Sequence, residues 1–409
     1  MNCRHCNKEL VKKFLDLGTA PPSNAYLTKE DLKKKEQYFP LKVMICNHCW
    51  LAQTLDYANA AELFSEDYAY FSSTSSSFLE HAKEYSKNMT SNLSLNQESF
   101  VIEIASNDGY LLKNFVESNI PCLGIEPTDS TADAAEKLGI PVIREFFGEN
   151  LAKNLSKSAK TADLIIGNNV YAHVPDINDF TKGLAALLKP EGTITLEFPH
   201  LMRLLEFSQF DTVYHEHFSY LSLHAVTSIF KMAGLRIYNV EELSTHGGSI
   251  RVFGCHESAA IAEDDSVQAM LEHEYKFGII DMNIYSAFQD IADKIKESFI
   301  TFLDDAASSN QVVAGYGAAA KGNTLMNYSA IKDIAIEFVC DAAPAKQNKF
   351  LPGTHIPILH PDALISCEVD YIIIFPWNIS SEVKQQLRKK ITYKTKFVTF
   401  VPKLIIEDL

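Results

Sequence analysis

Between positions 100 and 240, short apolar runs alternate with segments whose apolar residues recur at helical spacing. The predicted strands lie at 100–104, 121–126, 163–167 and 192–198. The predicted helices lie at 110–117, 131–138, 177–188 and 223–233, with Ser222 as the N-cap of the last. Strands that alternate with helices predict an α/β domain in which helices cover both faces of a parallel sheet.

The same alternation returns near the C-terminus. An amphipathic stretch at 266–304 predicts one long helix. Strands are predicted after it at 311–315, 336–340, 370–375 and 396–401. The chain is therefore expected to contain a small N-terminal module and two doubly wound domains. Their predicted bounds are 1–66, 67–262 and 263–409.

Composition narrows the range of partners. A chain of 409 residues suits two or three domains. The net charge of −15 argues against nucleic acid or an anionic membrane surface as the main partner, because both require a basic protein surface. No apolar run approaches the roughly 18 residues that cross a bilayer, and no secretory pattern opens the chain. We expect a cytoplasmic protein. A monomer is plausible, and the sequence does not determine the oligomeric state.

Two CxxC pairs in the N-terminal module predict a metal site. Each pair can turn two thiolates toward one point, and four thiolates complete the tetrahedral coordination of zinc. His5 and His48 lie inside the pairs and are alternative ligands, and redox-active or incidental thiols are the other interpretation. A four-cysteine site has no open position, so the zinc is expected to be structural. The predicted ligands are Cys3, Cys6, Cys46 and Cys49.

The turn after the first strand of the middle domain predicts a cofactor loop. Parallel sheets bind ligands at the carboxyl ends of their strands, and small residues in this turn leave room for an adenosyl group. A carboxylate at the end of the next strand suits ribose hydroxyls. The loop lacks a run of phosphate-binding glycines, which favours S-adenosylmethionine (SAM) over NAD; a purely structural turn is the alternative. The candidate cofactor residues are Glu103, Ala105, Ser106, Asn107, Gly109, Tyr110, Glu126, Pro127, Asn168 and Asn169.

A second polar cluster, Tyr214-His215-Glu216-His217, follows the last predicted strand of this domain. A histidine can remove a proton at neutral pH and a carboxylate can orient it, so the cluster is a candidate catalytic loop. A solvated surface loop is the alternative. His173 lies beside the cofactor region, where a packed helix-cap histidine is an equally good interpretation. Tyr68 and Tyr70 are further candidates, although aromatic residues in linkers usually serve packing.

A glycine-rich turn in the C-terminal domain predicts a nucleotide site. It follows a strand and opens a helix, whose free N–H groups suit a diphosphate. Taken alone, this turn fits an NAD-dependent oxidoreductase equally well, although its spacing differs from GxGxxG. A non-enzymatic zinc-ribbon adaptor is a third interpretation. The candidate residues are Gly315, Tyr316, Gly317, Ala318, Lys321, Asn323 and, after the next strand, Asp341.

In combination and order, these segments resemble the SAM-dependent C-methyltransferases of nucleotide-sugar pathways. The resemblance covers nearly the whole chain and includes the cysteine pairs, Asn107-Asp108-Gly109, the stretches 168–173, 214–218 and 247–251, and the glycine-rich turn at 315–323. It implies a zinc module, a class I SAM methyltransferase domain and a Rossmann-like C-terminal domain that helps to hold the nucleotide. This family usually has Gly at the position of Ala105.

The resemblance also implies a reaction. Enzymes of this family methylate the carbon beside the ketone of a nucleotide-linked 4-keto-6-deoxy sugar, usually C3, and dTDP or GDP is the expected carrier. His217 would be the general base, and Tyr214 and Glu216 would shape the site. Tyr68 and His173 would lie close to the sugar, with Tyr70 and His215 as further substrate contacts. The residues themselves do not reveal the nucleophilic atom, so an O- or N-methyltransferase is the nearest alternative.

Overall fold

The computed structural model describes residues 1–55, 72–74, 76–158, 160–331 and 336–409. The N-terminal segment forms an antiparallel meander. Its strands are β1 (Lys12–Ala20), β2 (Phe39–Ile45) and β3 (Ala52–Thr54). Apolar residues alternate along β2, so Leu41, Val43 and Ile45 are buried on one face.

The middle of the chain forms the predicted α/β domain. Its strands are β4 (Val101–Ile104), β5 (Cys122–Ile125), β6 (Val142–Ile143), β7 (Ala162–Asn168), β8 (Leu188–Pro199), β9 (Ser219–Tyr220), β10 (Leu235–Leu243) and β11 (Ser249–His256). Its helices are α1 (Ser76–Asn92), α2 (Lys113–Glu117), α3 (Asp129–Lys137), α4 (Glu149–Lys157), α5 (Ile177–Leu187), α6 (Leu201–Glu206) and α7 (Leu223–Met232). Ser222 caps α7 as predicted, since its Oγ accepts the Ala225 N–H.

Seven of these strands form one sheet in the order β10-β11-β8-β7-β4-β5-β6. Only β11 runs antiparallel to its neighbours in this sheet. From β4 the chain first adds β5 and β6 on one side of the sheet and then returns to add β7 on the other side. A crevice for a ligand therefore opens between the loops that follow β4 and β7.

The C-terminal part forms a second doubly wound sheet, with strand order β14-β13-β12-β15-β16-β17. The strands are β12 (Val313–Tyr316), β13 (Val339–Cys340), β14 (Ile358–Leu359), β15 (Tyr371–Ile374), β16 (Lys396–Thr399) and the antiparallel β17 (Ile405–Asp408). The helices are α8 (Asp265–Phe277), α9 (Met282–Ser308), α10 (Ala320–Tyr328), α11 (Ala363–Ser366) and α12 (Ser380–Arg388). Here the order reverses between β12 and β15. None of the helices among the described residues is long and apolar enough to cross a membrane.

The prediction of one helix over 266–304 was wrong, because α8 and α9 are separate. Gly278 ends α8 in the left-handed conformation, with φ +99°. Asp281 then caps α9 by accepting the Asn283 N–H at 2.9 Å. The apolar spacing continues across this break, which is why the pattern alone suggested a single helix.

The N-terminal and C-terminal parts share one hydrophobic cluster with the middle of the chain. Phe14 packs edge-to-face on Tyr285 of α9 at a ring distance of 5.1 Å, and Phe210 and Val313 belong to the same buried cluster. In addition, β9 from the middle domain pairs with β3 and completes the N-terminal sheet. The sheets are therefore packed into one body, and the boundaries near 66 and 262 stay predictions.

Candidate active site

The four cysteines of the two CxxC pairs converge on one point. Their sulfur atoms all lie within 4.8 Å of one another, with 3.5 Å between the sulfurs of Cys3 and Cys49 and between those of Cys6 and Cys46. Zn–S bonds of about 2.3 Å in a tetrahedron place sulfurs about 3.8 Å apart. The cluster therefore fits a structural zinc, and the Gln53 amide donates to the Cys3 sulfur from outside it.

His5 contacts the middle domain and is not directed at the metal site. Its Nδ1 lies 2.9 Å from the Asn178 amide oxygen, and its Nε2 lies 3.1 Å from the Ser228 hydroxyl. Those partners are on α5 and α7 of the middle domain. The zinc knuckle is thus fastened to the α/β domain through the residues between its cysteines.

The N-terminal sheet reaches the catalytic loop through Thr54. Its Oγ1 donates to the His217 carbonyl at 3.0 Å, and its N–H donates to the Phe218 carbonyl at 3.1 Å. This contact lies beside the pairing of β3 with β9. β3 begins three residues after Cys49. The zinc cluster therefore positions β3, and Thr54 on β3 positions the backbone of His217.

The cofactor loop follows β4 at the reversal point of the large sheet. The Glu126 carboxylate accepts the N–H groups of Asn107 at 3.0 Å and of Thr128 at 2.9 Å. Gly109 has φ +77°, and a Cβ there would come within 2.5 Å of the Ile140 side chain. Glu126 therefore braces the loop, and its contact with ribose, like that of Pro127 with the cofactor, stays a prediction.

Several buried side-chain oxygens at this crevice have no hydrogen-bond partner among the described residues. They are Glu103 Oε2, Ser106 Oγ, Asp108 Oδ1, Asn168 Oδ1 and Asn169 Oδ1. The ribose hydroxyls and the ammonium group of SAM are donors that match such acceptors.

The crevice is also acidic. Burial, followed by the charges of Asp108 and Glu126, raises the pKa of Glu103 well above its usual value. A cationic ligand such as SAM relieves this repulsion, whereas the diphosphate of a dinucleotide would increase it. The charges at this loop therefore favour SAM over NAD.

Ala105 occupies a backbone conformation that explains the glycine usual in the family. Its φ is +56°, in the left-handed region that L-residues adopt at a cost of about 1–2 kcal/mol. Its N–H donates to the Ile125 carbonyl at 2.8 Å, so the neighbouring strand keeps this conformation in place. Alanine at this position therefore costs local backbone strain and does not change the path of the loop.

The segment around Ser72 covers the cofactor loop. The Ser72 N–H donates to the Asn107 amide oxygen at 3.0 Å, and the Ser73 N–H donates to the Asp108 carboxylate at 3.1 Å. The Phe78 ring lies 6.4 Å from the Tyr110 ring and 5.5 Å from the His246 ring. These contacts join the cofactor loop to the loop that precedes β11. Tyr68 and Tyr70 lie outside the described residues.

His217 is held in a defined tautomer. Its Nδ1 lies 3.0 Å from the Thr212 carbonyl, which only accepts hydrogen bonds, so Nδ1 carries the proton and Nε2 has the lone pair. Burial, and then the charge of His173, lower the pKa of His217 well below its usual value, so the ring is neutral at physiological pH. A neutral imidazole with a lone pair on Nε2 is equipped to accept a proton.

Aromatic neighbours surround this imidazole. The rings of Tyr214 and His173 lie 4.0 and 4.6 Å from the His217 ring. His173 Nδ1 donates to the Glu216 carbonyl at 2.7 Å, and burial lowers the pKa of His173 to about 4. Tyr214, His173 and His217, predicted separately, thus meet in one place.

Glu216 and His215 point to other partners. The Glu216 carboxylate accepts from the Asn24 backbone and amide nitrogens at 3.4 and 3.2 Å, and burial raises its pKa. His215 Nε2 lies 3.2 Å from the Phe39 carbonyl. Both residues therefore tie the catalytic loop to the N-terminal module.

The glycines after β12 make room for side chains of their own domain. A Cβ at Gly315 would lie 2.7 Å from the Phe375 ring, and one at Gly317 would lie 2.4 Å from Pro376. Tyr316 is buried in the core of this sheet. Close packing against the segment after β15 is therefore one reason for the glycine-rich sequence, and its binding of a diphosphate stays a prediction.

Helix α10 packs its first turns on the catalytic loop. The Asn323 amide donates to the Ser23 carbonyl at 2.6 Å, and the Thr324 hydroxyl donates to the Val213 carbonyl at 2.9 Å. Ser23 precedes Asn24, the partner of Glu216. The C-terminal domain, the N-terminal module and the catalytic loop are thus joined by consecutive hydrogen bonds.

Asp341, predicted to meet ribose, is engaged within its own domain. Its carboxylate accepts the N–H groups of Ala318 and Ala343, both at 2.8 Å. Lys346 donates to the Ala318 carbonyl at 2.9 Å, and the Tyr26 hydroxyl donates to the same carbonyl at 2.6 Å. Asp341 and Ala318 therefore shape the turn after β12, and their contact with a nucleotide stays a prediction.

Sequence reasoning missed several buried side chains in the catalytic loop region and in the loop that precedes β11. Asp211 is 2% exposed and accepts the Trp377 indole N–H at 2.7 Å. His246 lies in a loop with φ +53°, and burial lowers its pKa to about 4. A Cβ at Gly247 would come within 2.4 Å of Trp377. The paired glycines at 247 and 248 were the available signal that another element approaches there.

Three family models match successive parts of the chain. Residues 3–64 match the family described as "Putative zinc binding domain", residues 78–240 match "Methyltransferase domain", and residues 244–402 match "C-methyltransferase C-terminal domain". Among solved structures, magnesium protoporphyrin IX methyltransferase from Synechocystis PCC 6803 with bound SAM is 12% identical, covers 44% of this chain and 79% of its own, and has a TM-score of 0.34. A SAM-dependent methyltransferase from Clostridium acetobutylicum is 11% identical, covers 44% of this chain and 92% of its own, with a TM-score of 0.35.

A full-length relative decides the assignment. The C-methyltransferase NovU of Streptomyces niveus is 30% identical over 400 residues, which is 98% of this chain and 95% of the relative. The match includes the zinc-binding, methyltransferase and C-terminal parts in one alignment, so the oxidoreductase and adaptor interpretations are set aside. The chain belongs to the family of SAM-dependent C-methyltransferases with an N-terminal zinc-binding domain.

Proposed function

We propose that this enzyme methylates the carbon beside the ketone of a nucleotide-linked 4-keto-6-deoxy sugar, at C3, with His217 as the general base. The observation that carries the proposal is the tautomer of His217. Its Nδ1 proton is committed to the Thr212 carbonyl, and Nε2 of this buried side chain is left as a proton acceptor. A C-methyltransferase acting on a ketone needs a base of this kind.

A ketone acidifies the hydrogens on the adjacent carbon. Nε2 of His217 takes one such proton, and the electron pair of the broken C–H bond forms an enolate. SAM supplies an electrophilic methyl group for the enolate carbon. The chain's own task is to align the two reacting carbons and to exclude water, which the burial of the loop supports.

The neighbours of His217 have distinct roles in this scheme. Tyr214 lies against the imidazole ring, where its hydroxyl can contact the sugar. Glu216 fixes the loop through Asn24, and His173 fixes it through the Glu216 carbonyl. The choice of sugar, of C3 and of dTDP or GDP as carrier rests on the family resemblance.

The experiment is hydrogen exchange and methyl transfer with dTDP- and GDP-linked 4-keto-6-deoxy sugars in heavy water. Wild type is expected to exchange the hydrogen beside the ketone without SAM, and to add one methyl group with SAM. His217→Asn keeps a donor for the Thr212 carbonyl and removes the base, so exchange and turnover should fall about 10²–10⁴-fold.

His173→Asn is the matched control, because it likewise keeps the donor to the Glu216 carbonyl. It should lose much less exchange than His217→Asn, and SAM affinity should be unchanged in both variants. Exchange lost in His173→Asn and kept in His217→Asn would assign the base to His173. A wild-type enzyme that binds SAM and neither exchanges nor methylates any keto sugar would refute the proposed substrate class.

A further inference from the structure

Lys321 lies on the side of the C-terminal domain that faces the catalytic loop. It belongs to the first turn of α10, after β12, at the point where the order of the C-terminal sheet reverses. Thr324, three residues later on the same helix face, donates to the Val213 carbonyl next to Tyr214. Lys321 is therefore directed toward the methyltransferase domain.

The ammonium group is fixed by uncharged partners. Its Nζ donates to the Asn378 amide oxygen at 2.7 Å and lies 4.1 Å from the centroid of the Trp377 ring. Both partners follow β15, across the reversal point. No carboxylate among the described residues lies within ion-pair distance of Nζ. The nearby Asp211 carboxylate accepts a hydrogen bond from the Trp377 indole N–H.

Trp377 joins Lys321 to the catalytic loop. The Trp377 indole N–H donates to the Asp211 carboxylate at 2.7 Å, and the next residue, Thr212, accepts from His217 Nδ1 at 3.0 Å. The charge of Lys321 also contributes to lowering the pKa of His217 and of His246. Burial lowers the pKa of Lys321 itself to about 8, against the opposing charge of Asp211. Lys321 is half-buried and its partner Asn378 is exposed, so a ligand that carries negative charge can reach the ammonium group.

We propose that Lys321 is a catalytic residue that stabilises the oxyanion formed on the substrate ketone. This inference rests on the proposed function. When the C–H bond breaks, its proton goes to His217 Nε2, its electron pair forms a carbon–carbon double bond, and the carbonyl π electrons move to oxygen. Lys321 donates an N–H to that oxygen. As the new C–CH3 bond forms and the methyl–sulfur bond breaks, the carbonyl is restored and SAM leaves as S-adenosylhomocysteine.

The position of Lys321 favours the ketone oxygen over the nucleotide's diphosphate. The reacting carbon must contact His217, and a carbonyl oxygen is one bond from the neighbouring carbon. A cation that lies over Trp377, which is bonded to the loop that orients His217, is thus placed for charge that develops during the reaction. Interactions of this type are worth about 10²–10³ in rate for one donor.

The test compares Lys321→Met and Lys321→Arg with wild type. Lys321→Met should slow exchange of the hydrogen beside the ketone, and kcat, by about 10²–10³-fold. The dissociation constants of SAM and of dTDP or GDP alone should change less than about threefold. Lys321→Arg, which restores the charge, should recover part of the exchange rate.

Lys296→Met is the matched control, because Lys296 also lies over an aromatic ring, that of Tyr328, at 4.6 Å, at the opposite end of α10 from Lys321. It should exchange and turn over like wild type. Circular dichroism and zinc content verify that each variant is folded.

Two outcomes would overturn the inference while the proposed function stands. One is a Lys321→Met enzyme that exchanges and turns over within about threefold of wild type. The other is a loss confined to nucleotide affinity, with normal kcat at saturation, which would assign Lys321 to the diphosphate. A wild-type enzyme inert toward every keto sugar would instead remove the proposed function, and this inference with it.

Discussion

Thr54 joins the zinc-bearing sheet to the backbone of the proposed base, and its hydroxyl can be removed with little change of shape. Thr54 is 5% exposed, and its Oγ1 is the hydroxyl that donates to the His217 carbonyl at 3.0 Å. Thr54→Val leaves this buried carbonyl without that donor. An unsatisfied buried acceptor costs about 1–3 kcal/mol, so the free energy of unfolding should fall by that amount.

The same change should loosen the base. The Thr212 carbonyl still orients the His217 ring, but the backbone of His217 loses its tie to β3. If the poorer orientation of His217 raises the activation free energy by about 1.4 kcal/mol, kcat falls about tenfold. SAM affinity should be unchanged, because the cofactor loop makes none of these contacts.

Thr54→Ser provides the matched comparison. It keeps the hydroxyl and removes one methyl group, so unfolding should become easier by about 0.8 kcal/mol while kcat stays at the wild-type value. Unfolding is measured in urea, kcat by release of S-adenosylhomocysteine, and zinc by a metal assay on the same samples. Equal kcat in the two variants at equal zinc content would refute the coupling between the sheet and the base.

Three further changes have defined outcomes. Ala105→Gly removes about 1–2 kcal/mol of left-handed strain, and the greater entropy of the unfolded chain offsets about 0.4–1 kcal/mol of that gain. Urea unfolding should therefore show a gain of about 0–1.6 kcal/mol with SAM affinity equal or tighter, and a clear loss of stability would contradict this. Cys46→Ser should lose bound zinc and methyl transfer together, and a zinc-free variant with full activity would show that the cluster does not position His217. Because the pKa of His217 lies well below 6.5, its base form persists as pH falls, so kcat/KM should hold to about pH 6. On the alkaline side, burial lowers the pKa of Lys321 to about 8 against the opposing charge of Asp211, so its charge is lost as the pH rises through that value. The kcat should decline there, and Lys321→Arg should abolish the decline.

Local patterns were sufficient for much of this protein. The βα alternation around Val101–Ile104 and Val313–Tyr316 predicted both doubly wound sheets, because strands and helices differ in the period of their buried positions. The cap at Ser222 was predictable for the same local reason. The break at Gly278 was missed, because apolar spacing continued across it and a single glycine is tolerated in many helices.

The candidate site divides in the same way. The two CxxC pairs, the small residues after β4 and the Tyr-His-Glu-His loop identified their own chemistry, since ligand type and spacing are local properties. That His173 and Tyr214 both lie against His217 depended on how the loops after β7 and β8 come together. The spacing of apolar and polar residues along the chain does not encode contacts between distant loops.

The sequence by itself therefore determined the class of fold, the zinc ligands and the kind of cofactor. Only the tertiary structure decided that Thr54 holds the His217 carbonyl and that Asn24 holds Glu216. These residues are polar and unremarkable in their local context, and their partners lie more than a hundred positions away. Their roles follow from burial, because a polar group removed from water must find a partner wherever the packing of the three sheets places one.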